Sequence, residues 1–333
     1  MRGKIGALVS LLFIVFANSH AVAADSVVEE AKKEGEVVFY AAINAKNLAK
    51  LAGAFEKKYP FIKVKTFRGN NETIISRILT EGRAGAYFVD VAQIDVLNGR
   101  SLVEKDYLQP FKSKETDAYP VDLQDPKGFL PCCVYVLTYV IGYNSKLVAK
   151  KDIPKSFEDL LDPKWKNNLS LDPDDAEWFR ALVSVWGKDR AAKYFRELMQ
   201  LQPTLRRGHT LTAQLMAAGE SAAIVPTFGY TVMELQTRGQ PVNVVNAEPV
   251  IVGTRNLALA KRAPHPNAGK LLIDYILSVE GQSVIASFGT TIARPGVKQK
   301  YPHLVDGVKL YPIKPEMGED YEEFAKLWYS IVK

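Results

Sequence analysis

Strand-length apolar runs alternate with helix-period segments along most of this 333-residue chain, and that alternation restricts its fold more than any other feature. "EVVFYAAI" (36–43) is rich in β-branched and aromatic residues and has the length of a buried strand. In the following "NAKNLAKLAGAFEKKYP", Leu48, Leu51, Ala52 and Phe55 recur at helical spacing, and Tyr59-Pro60 ends the pattern. "FIKVKTF" (61–67) predicts a strand. "NNETIISRILTEGRAG" predicts a capped helix with Ile74, Ile75, Ile78 and Leu79 inward, and "YFVDVAQI" (87–94) another strand. Short turns between such units predict an α/β fold with a mostly parallel sheet flanked by helices on both faces.

The theme repeats downstream. "DPDDAEWFRALVSVWG", "AAKYFRELMQL" and "TLTAQLMAAGE" predict helices, "SAAIVP" and "PVNVV" strands, and "NAGKLLIDYILSVEGQSVIASFG" further helix. No heptad, short repeat or flexible linker separates the halves. Two α/β units are therefore expected to be joined by strands that pass between them, within 134–144 and 249–259. The expected division is residues 24–133 plus 254–300 in one lobe and 134–253 plus 301–333 in the other, after a leader at 1–23.

That leader is "MRGKIGALVSLLFIVFANSHAVAADS". Arg2 and Lys4 precede an apolar stretch of about 13 residues and a small-residue site at Ala21-Val22-Ala23, the order of a secretory signal peptide. The stretch is shorter than the roughly 20 residues of a membrane anchor. A soluble, exported, periplasmic protein is the expectation. Without Arg2 and Lys4 the chain carries 41 basic and 37 acidic residues in mixed patches. A nucleic-acid binder would show a basic stripe instead. Export also bears on the two cysteines, Cys132 and Cys133, since an oxidising compartment permits disulfides. Trans neighbours sit about 3.8 Å apart, too close for ordinary disulfide geometry. The expectation is two small packing residues in a strand, with a vicinal disulfide or a thiol metal site as alternatives.

Catalytic signatures are missing: the sequence has no G-x-S-x-G, no G-x-x-x-x-G-K-[ST] and no H-E-x-x-H. No enzyme and no cofactor are expected. Asp174 and Asp175 read as helix-start residues favoured by the dipole. What remains points to binding.

Segments spread from about residue 25 to 300 resemble one family. They are "EGEVVFYAAINAKNLAKLAGAFEKKYPFIKV", "YVIGYNSKLV" with "IPKSFEDLLDPKWKNNL", "AAGESAAIV", "APHPNAGKLLIDYILSVEGQSVIASFG" and "IARPGV". Together they resemble periplasmic solute-binding proteins of ABC importers, in the group related to ferric-iron binders. The resemblance implies the two-lobed type II periplasmic-binding-protein fold, joined by crossing strands and holding one ligand in the cleft. It also implies a monomer that delivers its ligand to an inner-membrane permease with its ATPase. Ferric binders place two adjacent tyrosines after the strand that here reads "AAIVP"; the aligned positions fall near Phe228 and Gly229, with Tyr230 next. The iron-ligand set is therefore not carried over, and no metal site is expected.

In such sheets the loops at the carboxyl ends of strands line the cleft. They offer Asn44, then Arg68 with Asn70 and Asn71 at a helix N-terminus, then Gln93 and Asp95. The second half adds Arg206, Arg207, His209 and Thr210 before a helix, Tyr139 and Tyr143 on a crossing strand, Thr227 and Tyr230, with Asp172, Glu177 and Trp178 bordering the cleft. Guanidinium groups beside helix starts suit an anion. The expected ligand is a small organic anion or oxyanion clamped between Arg68 and Arg206 or Arg207. The alternatives are a ferric carrier using Tyr230 and Tyr139, or a ligand-presenting sensory module that meets a receptor in place of a permease.

Overall fold

The computed structural model describes residues 26–333, so the expected signal peptide lies outside the described residues. Helix α1 (26–34) ends at Gly35, whose φ of 71° favours glycine. Strand β1 (Glu36–Ala41) then leads to α2 (Ala45–Lys58), β2 (Lys63–Arg68), α3 (Asn71–Arg83), β3 (Val91–Asp95) and α4 (Val96–Glu104). Asn44, Asn70 and Asp95 each accept a backbone N–H from the first turn of the helix they open. The third strand starts four residues later than the apolar run 87–94 suggests. Asp90, at its foot, is bound to the N–H of Val38 and to His265, and so serves as a strut between β1 and the helix after His265.

Short β4 (Leu108–Gln109) precedes the first crossing strand, β5 (Tyr135–Asn144). The second half runs β6 (Leu169–Leu171), α5 (Ala176–Trp186), α6 (Lys188–Gln200), β7 (Thr204–Leu205), α7 (His209–Ala218), β8 (Ala223–Phe228), α8 (Gly229–Thr237) and β9 (Val242–Val245). The second crossing strand, β10 (Val250–Ala260), returns the chain to the first half. There α9 (Pro266–Leu277) and α10 (Val279–Ala286) pack, before β11 (Leu310–Pro312) and α11 (Tyr321–Ile331).

Strand order across the described sheet is β2-β1-β3-β10-β5-β8-β6-β7. It has two matching ends. Parallel β2, β1 and β3 meet antiparallel β10, and parallel β7, β6 and β8 meet antiparallel β5. Between them β10 pairs with β5 over Val252–Arg255 and Tyr135–Thr138. Each crossing strand therefore belongs to one end by one half of its length and to the junction by the other. This is the two-lobed α/β architecture that the sequence pattern and the resemblance predict. α2 buries Leu48, Leu51 and Phe55 against the first lobe. The second lobe packs on an aromatic cluster of Phe157, Trp178, Phe179, Phe195 and, from α11, Trp328.

The cysteine expectation needs correction. Cys132 and Cys133 are buried as small core residues, but their sulfurs are bonded to each other. Their Cα atoms lie 3.0 Å apart, nearer than the roughly 3.8 Å of ordinary trans neighbours, and the short ring closes.

Candidate functional site

A cleft of roughly 570 Å³ opens between the two ends of the sheet, and both halves line it. From the first come Ala42, Ile43, Asn44, Lys46 and Arg68, with Thr290 beyond α10; from the second come Thr210, Gln214, Tyr230, Thr231 and Arg238, with Tyr135 on the crossing strand below. Asn44 and Lys46 sit at the start of α2, Thr210 at the start of α7, and Tyr230 and Thr231 at the start of α8. Three helix N-termini thus open on one cavity whose cationic side chains are Lys46, Arg68 and Arg238. Unpaired first-turn N–H groups and the helix dipoles favour negative charge there. Glu234 also lines the cleft, and it is engaged by Lys300 at 2.5 Å, by the Tyr301 hydroxyl at 3.2 Å and by Arg238 at 3.5 Å.

Of the residues named from the sequence, Asn44, Arg68, Thr210 and Tyr230 line this cavity. Asn44 uses its carbonyl oxygen as a helix cap, accepting from the Asn47 N–H at 3.0 Å. Asn70 likewise caps α3 through the Thr73 N–H. Asn71 is half-buried, with Oδ1 unpartnered. Arg206 and Arg207 are exposed and turn to surface carboxylates, Glu220 and Asp174, both at 3.6 Å. The geometry leaves Arg68 with Lys46 and Arg238, in place of Arg206 or Arg207, around the cavity.

Tyr139, Thr227 and Asp95 are buried and His209 nearly so; none of the four lines the cavity. His209 lies face-near to Phe228, ring centroids 3.8 Å apart, and its Nε2 meets Asp175 Oδ1 at 3.0 Å. Burial opposes charge on His209, but Asp175 and Asp172 outweigh that and raise its pKa. Burial pushes Asp175 up to about 6, against the pull of His209. Asp175 makes no side-chain cap to α5, so helix capping does not explain this carboxylate; the imidazole does. Asp172 accepts the N–H groups of Asp174 and Gly208, fixing the loop before α7. Thr227 is fully buried with its hydroxyl unpartnered.

Phe228 stands between the two tyrosines that a metal reading would need. Its centroid is 5.3 Å from Tyr139 and 6.3 Å from Tyr230. Burial, with the charge of Glu177, drives the Tyr139 phenol well above its ordinary range, and burial also raises that of Tyr230. Among the described residues no group of three His, Cys, Asp or Glu side chains could hold a metal ion.

Sequence reading missed Lys46, Tyr135, Arg238 and Arg255. The first three are ordinary surface or strand residues until the fold brings them together. Arg255 carries a usable signal: it is a charge inside the apolar run Val250–Ala260.

A family profile described as bacterial extracellular solute-binding protein matches residues 96–306. An uncharacterized Haemophilus influenzae protein is 25% identical over 280 residues, covering 79% of this chain and 78% of its own. The major ferric iron-binding protein of Neisseria gonorrhoeae is 22% identical over 268 residues, covering 76% and 77%. Among solved structures, the periplasmic binding protein AfuA of Actinobacillus pleuropneumoniae, with fructose-6-phosphate bound, has a TM-score of 0.76 and 23% identity over 90% of this chain and 98% of that one. Iron-bound HitA of Pseudomonas aeruginosa has a TM-score of 0.76 and 20% identity, covering 89% and 99%. These likenesses show the same two-lobed fold.

Proposed function

This chain belongs to the bacterial extracellular solute-binding protein family, and from that premise we propose that it captures a small anionic organic solute between its lobes, in the periplasm, and hands it to an inner-membrane ABC permease. The observation that carries the reading is the cleft itself, where three helix N-termini and the side chains of Lys46, Arg68 and Arg238 surround one cavity. Its volume is that of an organic ligand site, typically about 300–1,000 Å³. The amide, hydroxyl and phenol groups of Asn44, Thr210, Gln214, Thr290, Tyr135 and Tyr230 supply donors and acceptors for a polar body beyond the anionic head. A phosphorylated sugar such as the fructose-6-phosphate bound to AfuA fits that description.

A bare ferric ion fits less well, because Phe228 keeps Tyr139 and Tyr230 apart and their phenols are held protonated. Capture proceeds without turnover. The solute contacts both lobes together only in the closed arrangement, so its binding free energy shifts the population toward closure about β5 and β10. The basic rim raises the rate at which anions enter.

Calorimetric titration of fructose 6-phosphate and of fructose tests the charge requirement. The phosphorylated sugar should bind at least about 100-fold tighter, and Arg68→Ala should remove about 1.5–3 kcal/mol of its affinity. Equal binding of the two sugars, or an unaffected R68A variant, would contradict the anionic reading.

A further inference from the structure

In register, Arg255 of β10 stands opposite Tyr135 of β5 and Asp95 of β3, which puts the three side chains on one face of the sheet. Tyr135 lines the cleft, and the charge of Arg255 is felt by Tyr230 on the cleft wall. The Arg255 guanidinium donates Nη1 to the Thr254 carbonyl at 3.2 Å. Among the described residues its side chain makes no other hydrogen bond and no ion pair within 4 Å. A partly buried guanidinium has five N–H donors, and leaving most of them unmatched is costly unless a partner arrives.

Gly253, two residues before Arg255 on the same strand face, puts no side chain beside it. A Cβ at Gly253 would lie 3.4 Å from Tyr139 Cε2, 3.7 Å from Glu177 Oε1 and 3.8 Å from Arg255 Nη1. Glu177 of α5 and Arg255 of β10 therefore both border the spot that a side chain at Gly253 would take, and Glu177 Oε1 is buried and unpartnered. The charged groups facing Glu177 are Asp95 from β3, Arg255 from β10, Asp175 from its own helix and Glu72 from α3. Tyr139 of β5 and Tyr321 of α11 face it as phenols, and His209 of α7 is engaged by Asp175. One guanidinium therefore sits among four carboxylates. Burial first, then Asp95, pushes Glu177 up to about 7.

We propose that Arg255 grips the oxyanion of the solute at the cleft floor and that Glu177 must carry a proton while it does so, which makes anion capture a proton-uptake step. The proposal rests on the anionic-solute reading above. Ionised Glu177 is the strongest charged neighbour of Arg255, so it competes with an incoming carboxylate, sulfate or phosphate and repels it. Protonated, it no longer sets a negative charge against the anion and turns from a repelling acceptor into an O–H donor. The proton comes from solvent, and no bond of the solute changes.

Sulfate and oxalate, both fully ionised near neutrality, separate this effect from titration of the ligand. Their binding can be followed by the fluorescence of Trp178, which stacks on Tyr139 with centroids 6.4 Å apart. Wild type should bind about tenfold more weakly at a pH one unit above the Glu177 value than one unit below it. Glu177→Gln should bind equally at both. Arg255→Met should lose at least about tenfold at either pH, with Arg255→Lys intermediate, because lysine keeps the charge and loses the fork. A pH dependence that survives in E177Q overturns the proposal, even if R255M fails to fold. So does a folded R255M that binds like wild type, or binding lost in the R68A/R238A double variant but kept in R255M; these leave the anionic reading standing. Wild type that binds neither anion contradicts both.

Discussion

Glu177 holds its proton up to about 7 because it is buried and has Asp95, Asp175 and Glu72 around it, with Arg255 only partly offsetting them. Its ordinary value is 4.5. A carboxyl whose folded pKa lies above its unfolded one stabilises the fold fully below the unfolded value. That contribution is lost as pH rises through the folded value, here between about 4.5 and 7. The loss amounts to about 3 kcal/mol for a shift of this size. Glu177→Gln should therefore gain on wild type in thermal or urea stability as pH rises across that window, with the difference constant above it. A stability difference that does not change with pH would show that the carboxyl is not titrating there. At this scale the sequence was uneven in what it revealed. Asn44, Arg68 and Tyr230 could be named because strand ends and helix starts mark them. Arg206 and Arg207 could not be told from surface charges, since their partners Glu220 and Asp174 are chosen by the fold.

α8 brings Tyr230 and Thr231 to the second lobe's side of the cleft. Its first residue, Gly229, is packed so closely that a Cβ would lie 2.7 Å from Thr138 Oγ1 and 2.8 Å from Leu304 Cδ2. A larger side chain here requires the Thr138 and Leu304 side chains to shift, which disfavours the bulky tyrosine that iron binders place near this point. Gly229→Ala should cost about 1–3 kcal/mol by overpacking and lower the melting temperature by several degrees. Because Tyr230 follows it, solute affinity should fall as well; an unchanged melting temperature would refute the packing argument. The helices and strands themselves were legible wherever apolar periodicity was strong, as in α2, α3 and β1. The late start of β3 was not, because Tyr87 and Phe88 have strand character but precede the Asp90 strut that fixes where pairing begins. The vicinal disulfide was also illegible, since nothing in "PCCVY" distinguishes bonded from merely packed neighbours.

The whole molecule is two half-sheets fused through β5 and β10, with the candidate cleft at the fusion. Its two-lobed plan was legible from the strand–helix alternation and from the lack of a linker. The composition of the cleft was not legible, because its walls come from segments as far apart as Asn44, Thr210 and Thr290. This arrangement makes the central claim simple to test: an anionic solute bridges the lobes and stabilises them together. A ligand that binds only the folded state raises stability by about 2.7 kcal/mol at a hundred times its Kd. The most direct measurement is the melting temperature of wild type and of the Arg68→Ala/Arg238→Ala variant against sugar phosphates, small carboxylates, sulfate and Fe³⁺. The account predicts that at least one organic anion raises the wild-type melting temperature by several degrees and leaves the double variant unmoved. Stabilisation by Fe³⁺ alone, or an equal shift in both proteins, would contradict it.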